Sequence, residues 1–272
     1  MKTIVIANQK GGVGKTTTTI ELATCFALKG KKVLVIDMDQ QRNLTKWIGA
    51  EVKPELSIYR VLMGDVTVLS AIQKIPIFNN KSKAKVIANI DVICGTERLS
   101  TAEKFFTDTE DALLMKELLG FIKDKYDVTL IDLGPARGIL LTMALIASDG
   151  VIVPFARDDG SIDGFVAMEK DLEKLKGNPL SPLVESEIWA AVETDFKTNP
   201  SLHTYLYDVM EKTIDDLNYE KDKVPAIFQI RTAIAASECK IYQMPLQTFE
   251  RFSNPAIDYR KFADYIIERG GI

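Results

Sequence analysis

Five residues in this chain have types and spacing that point to chemistry: Lys15, Thr16, Asp37, Asp39 and Asp132. Residues 10–16 read KGGVGKT. Glycines at 11, 12 and 14 let the backbone turn tightly, so that successive N–H groups converge on phosphate oxygens. Lys15 is placed to meet terminal phosphates, and the Thr16 hydroxyl to ligate a magnesium ion bridging them. The binding set in the loop is then Gly11, Gly12, Val13, Gly14, Lys15, Thr16 and Thr17. The surroundings agree with that chemistry. Thr3–Ala7 is a short β-branched run of the kind that forms a buried strand. After the loop, Ile20, Ala23, Ala27 and Leu28 recur at helical spacing until Gly30. A strand, a glycine-rich loop and Gly-Lys-Thr opening a helix are the context a phosphate loop requires. The helix N-terminus adds about half a positive charge there.

Carboxylates are expected opposite this loop. Residues 32–37 (KVLVID) and 126–132 (YDVTLID) are apolar runs that each end on an aspartate. Strand ends of this kind face the ligand crevice in open α/β sheets. Asp132 fits the role of holding Mg²⁺ directly or through water; the plainer reading is a turn aspartate. Asp37 and Asp39 are two apart, so on a strand end both point the same way, toward metal and terminal phosphate. One position departs from the usual phosphate loop: residue 9 is Gln, not Gly, and a second lysine, Lys10, stands inside the loop. By residue type alone Lys10 reads as a solvated lysine.

The elements that must position these groups alternate from end to end. Strands are expected at 32–37, 90–94, 126–132, 150–154, 187–193 and 224–230, besides the first. Helices are expected at 56–63, 66–75, 109–125, 139–147, 162–176, 200–217 and 255–269. In the 109–125 helix, Leu113, Leu114, Leu118, Phe121 and Ile122 share one side. Alternation of this kind implies an α/β fold: a doubly wound, mostly parallel sheet flanked by helices. Nothing in the composition divides residues 1–272, so one domain is expected, with 79–85 (NNKSKAK) as a solvated loop insertion.

The stretch ANQKGGVGKTT resembles the deviant Walker motif of the ParA/MinD ATPases. In that family the extra lysine, here Lys10, reaches across a dimer to the partner's nucleotide. Residues 37–41 (DMDQQ) resemble the family's D-x-D-P-Q, with Gln40 in place of the stiffening proline. The resemblance implies that Asp39 orients the attacking water and that Asp37 assists the metal shell. Residues 133–138 (LGPARG) stand for the turn after the Walker-B strand, and Arg137 reads best as a turn arginine. Residues 91–103 and 148–164 resemble further family segments. Residues 230–238 stand where the family lines its adenine, which makes Arg231 and Thr232 the base-contacting candidates. The likeness is dense before residue 165 and thin after it. It implies ATP/ADP and Mg²⁺ as ligands.

Composition narrows the branch. The three cysteines are far apart, without metal spacing, so the iron–sulfur members are a poor fit; reduced cytosolic thiols are expected. The chain enters its first strand at once, so no signal peptide is expected, nor an N-terminal operator-reading domain. Residues 255–269 carry Asp258, Asp264 and Glu268 on the polar face, unlike the basic membrane helix of MinD, so membrane attachment is not expected. What remains is the small ParA/Soj type, a cytoplasmic partition ATPase. For that type the resemblance implies an ATP-bound homodimer that sits on nonspecific DNA at the nucleoid and a ParB-like centromere-binding protein that stimulates it. The net charge of −4 gives DNA binding little support. From Lys223 onward seven basic residues face five acidic ones, and Lys240, Arg251, Arg260, Lys261 and Arg269 read equally as a phosphate patch or as scattered charges. The competing reading is a MinD-like scaffold positioning cargo at membrane or pole. A small-molecule kinase would need an acceptor pocket that the sequence does not suggest, and the lone His203 reads as a surface residue.

Overall fold

The computed structural model describes the chain except residues 50–52, 75, 76, 79–84, 88, 108, 109, 136, 157, 158, 178–180 and 197–199. The loop insertion expected at 79–85 falls almost wholly outside the described residues, as does the side chain of His203. Eight strands form one sheet: β1 (Lys2–Ile6), β2 (Val33–Met38), β3 (Gln73–Lys74), β4 (Ile90–Ile93), β5 (Val128–Leu133), β6 (Gly150–Phe155), β7 (Glu187–Phe196) and β8 (Ala226–Arg231). Their spatial order is β8-β7-β6-β1-β5-β2-β4-β3. Every pairing is parallel except that of the two-residue edge strand β3 with β4. A two-stranded ladder, Ile77–Phe78 with Lys85–Ile87, flanks the insertion.

Both faces of the sheet are covered, which is why its strands read as continuous apolar runs rather than as alternation. Along β1, Ile4 and Ile6 belong to one core and Val5 to the other, as the period of two requires. On the first face lie α1 (Lys15–Leu28) and the C-terminal helix, with Tyr259, Phe262 and Ile266 fully buried between them and the sheet. The other face carries the helices Leu114–Gly120, Ile139–Ala147, Asp159–Lys176 and Pro200–Asp216. Among the described residues no helix is long and apolar enough to cross a membrane. Cys25, Cys94 and Cys239 are free and buried, ordinary packing residues.

Two expected helices are shorter than their periodicity suggests. Of the 66–75 segment only Val68–Ala71 is helical, because Gln73–Lys74 pairs with β4 instead. The 109–125 segment is α-helical only over Leu114–Gly120, and Phe121 is 74% exposed. The buried positions there are Ala112, Met115, Leu119 and Ile122. Gly120 costs about 1 kcal/mol in a helix interior, and the helix stops there.

Glu21, at the middle of α1, is fully buried, and its Oε1 accepts the Leu246 N–H at 2.7 Å. Burial pushes its carboxyl up to about 7 from the ordinary 4.5, against the pull of that hydrogen bond and those from Gln247. A raised folded-state pKa means that the stabilisation from this group is complete below pH 4.5 and is lost as the pH rises through about 7. Glu21→Gln keeps an acceptor for Leu246 without the charge. The wild type is therefore expected to lose about 3 kcal/mol between pH 4.5 and 7.5 that the variant keeps. Urea melts at both pH values check this; equal losses in the two proteins would count against it.

Candidate nucleotide site

The parallel register brings the chemistry to one end of the sheet. Asp37 and Ile6 lie directly beside Asp132 on the neighbouring strands, so two carboxylates and the start of the loop share one level. From that level residues 7–14 curl over the strand ends. Gly12 and Gly14 adopt φ of +80° and +84°, the left-handed region that favours glycine. A side chain at Gly14 would also strike Thr194, whose methyl lies 2.9 Å from the position a Cβ would take. The Thr194 hydroxyl donates to the Val13 carbonyl at 3.0 Å, fixing the crest of the loop to β7.

Lys15 is buried, and its ammonium donates to the Asn8 carbonyl at 2.9 Å and the Lys10 carbonyl at 2.7 Å. Burial lowers its pKa, while the negative charges of Asp132 and Asp39 work the other way. The Thr16 hydroxyl donates to Asp132 Oδ2 at 2.8 Å, and the Thr19 hydroxyl to Oδ1 at 3.2 Å. Burial, then the neighbouring Asp37 charge, pushes the Asp132 carboxyl upward; Thr16 and Lys15 oppose the shift.

A cleft of about 610 Å³ opens in front of the loop. Gly11, Gly12, Gly14, Lys15, Thr16, Thr17 and Asp39 all line it. Lys10 and Val13 belong to the same loop, and Asp132 stands behind Thr16. The expectation that Asp37 and Asp39 face the same way does not describe this geometry. Asp39 lies one residue past the end of β2, where the chain has turned. Its Oδ1 accepts from the Gln41 N–H and its Oδ2 from the Asn43 amide, both at the cleft wall. Asp37 is fully buried, and three donors occupy its oxygens: the Asp39 N–H and the N–H and hydroxyl of Thr45. The Thr45 hydroxyl in turn receives the Gly95 N–H at 3.1 Å. Asp37 thus fastens the helix Asn43–Trp47 to the sheet and does not line the cleft.

Arg231 and Thr232 do not line it either. The Arg231 guanidinium makes a two-point contact with Asp258, Nε to Oδ2 at 2.8 Å and NH2 to Oδ1 at 2.6 Å, tying β8 to the C-terminal helix. The far wall is built instead by Lys46, Trp47, Lys240 and Gln243. Lys240 sits over the Trp47 ring at 5.4 Å, and Gln243 donates to the Lys46 carbonyl at 2.9 Å. Nothing local in the sequence marks Gln243, because a partner 197 positions away places it. Trp47 was the visible signal, one of only two tryptophans and close behind the strand-end carboxylates.

The basic residues near the C-terminus are partly committed. Arg260 donates to the Gln247 side chain and the Arg251 carbonyl, Arg269 donates to the Asp222 carbonyl, and Lys240 covers Trp47. As to metal, no group of three or more His, Cys, Asp or Glu arranged to hold a metal ion occurs among the described residues. The Thr16–Asp132 pair offers hard oxygen donors, which suits Mg²⁺, an ion that takes one or two protein oxygens and completes its shell from phosphates and water.

The chain matches the AAA domain family over residues 1–183. It is 31% identical over 233 residues to the sporulation initiation inhibitor protein Soj of Bacillus subtilis, covering 83% of this chain and 88% of that protein. Over 271 residues it is 30% identical to the chromosome-partitioning ATPase Soj of Treponema pallidum, covering 99% and 98%. Among solved structures it is similar to McdA of Cyanothece in complex with ATP, with a TM-score of 0.81 at 21% identity, covering 100% of this chain and 97% of that one.

Proposed function

Because the chain belongs to the ParA/Soj family of partition ATPases, we propose that it is an ATP-switched dimer that moves DNA cargo, with residues 1–272 acting as one domain. The observation that carries this reading is a single cleft lined by the glycine loop, Lys15, Thr16 and Asp39, with Asp132 held directly behind it by the Thr16 hydroxyl. In it the loop N–H groups and Lys15 bind the phosphates. Thr16 and Asp132 would hold Mg²⁺, which when bound neutralises charge on the phosphate oxygens. Asp39 accepts a hydrogen bond from water and aims it at the terminal phosphorus. Lys10 of each copy reaches the other copy's phosphates, so that ATP joins the pair and its hydrolysis releases them.

Hydrolysis is slow until a ParB-like partner docks, and the ATP-bound dimer rests on DNA without sequence preference at the nucleoid. The name of the Treponema relative, a chromosome-partitioning ATPase, supports this direction. Light scattering tests it directly. ATP with Mg²⁺ should double the mass seen with ADP or with no nucleotide, and Lys10→Ala should leave a monomer in all three. Added nonspecific DNA should then bind the wild type only with ATP. A wild type that stays monomeric with ATP overturns the reading. ATP-dependent binding to liposomes rather than DNA would favour the MinD-like alternative.

A further inference from the structure

Gln9 stands where the common phosphate loop has glycine, and in this fold its side chain is used. Its Nε2 donates to Asp171 Oδ2 at 3.0 Å, on the helix Asp159–Lys176 that packs behind the loop. Asp171 is 19% exposed, with the Lys174 ammonium 4.0 Å away. Asn8 is held from the same side. Its Nδ2 donates to the Pro154 carbonyl at 2.8 Å, and its Oδ1 accepts the Lys10 N–H at 2.8 Å. The helix comes this close because residue 164 has no side chain: a Cβ on Gly164 would lie 2.2 Å from Asn8 Oδ1. Residues 8 and 9 are therefore braced from behind, immediately ahead of Lys10. The backbone of Lys10 is fixed on both sides, its N–H by Asn8 and its carbonyl by the Lys15 ammonium.

A long side chain that must meet a phosphate on another subunit binds best when its backbone is already immobile. The Gln9–Asp171 bond has an ionised acceptor, which makes it stronger than a neutral pair. Resting on the dimer reading above, we propose that Asp171 is a positioning residue for the reach of Lys10 between subunits, acting through Gln9. It touches no phosphate itself. Its removal therefore weakens the ATP-dependent dimer more than it weakens nucleotide binding within one subunit.

The test compares the wild type with Asp171→Ala, Asp171→Asn, Gln9→Ala, the Gln9→Ala/Asp171→Ala double variant and Lys10→Ala. Sedimentation velocity gives the dimer dissociation constant with ATP and Mg²⁺, and calorimetry gives ADP affinity. Asp171→Ala should weaken the dimer roughly tenfold, the effect of losing one hydrogen bond to a charged group, with a clearly smaller loss of ADP affinity. Asp171→Asn still offers an oxygen to Gln9 and should recover most of the dimer. The double variant should be no worse than either single one, since both remove the same contact. Parallel losses of ADP affinity and dimerisation would overturn the inference, because the contact would then only build the loop. Wild-type dimerisation by Asp171→Ala would overturn it as well. Lys10→Ala separates the two levels. Should it dimerise normally, the dimer reading fails; should it stay monomeric while Asp171→Ala dimerises normally, only the positioning role fails.

Discussion

Lys15→Ala is expected to lose nucleotide binding at concentrations that saturate the wild type. The ammonium is the cation set deepest in the loop, and it serves two purposes. It bridges the Asn8 and Lys10 carbonyls, and it faces the charges of Asp132 and Asp39. Deleting it leaves two loop carbonyls without their donor and buried carboxylates without their counter-charge, at the spot where phosphate charge must enter. Truncating one partner of a buried, charged binding contact costs about 2–5 kcal/mol, which is about one and a half to four orders of magnitude in affinity. Calorimetry with ADP, with circular dichroism to verify the fold, decides the matter. Binding within tenfold of the wild type would mean that phosphates do not contact Lys15.

Asp39→Ala should do the opposite: bind ATP, form the dimer and then stay in it. Asp39 is 5% exposed, and the Gln41 and Asn43 donors fix its carboxylate at the cleft wall before any nucleotide arrives. A preoriented group of this kind typically contributes about 10²–10³ in rate. ATP affinity should change little, because the loop, Lys15 and Thr16 are untouched. Single-turnover hydrolysis measures the loss, and sizing after hours with ATP should still find dimer. Hydrolysis at the wild-type rate would remove Asp39 from its assigned role and leave water positioning to another group.

Much of this site was legible because its local sequence and its local backbone demand the same thing. Glycine at 12 and 14 meets positive φ, and an apolar run ending on Asp132 delivers that carboxylate to the Thr16 hydroxyl. Legibility failed where tertiary packing makes the choice. Period-two reasoning put Asp37 beside Asp39, but the rule holds only inside a strand, and β2 ends at Met38 between them. Arg231 lies within the expected base-contacting segment, yet Asp258, 27 positions on, captures it. The far wall at Lys240 and Gln243 is set by the helix Ile234–Ile241 and the turn after it, where Gln243 meets the Lys46 carbonyl, which no local pattern reports. Gln40, in place of a proline, did not displace Asp39 from the cleft. Phe121 fitted the apolar stripe of a helix that stops one residue before it.

The edge strand β3 also constrains how copies of this protein can join. An unpaired edge of main-chain N–H and C=O groups is a template on which other chains add strands, and short charged edges discourage such growth. Here the outermost strand has two residues, one of them the exposed Lys74, and it runs against its neighbour. Continuous ladder growth from copy to copy finds little purchase at this edge.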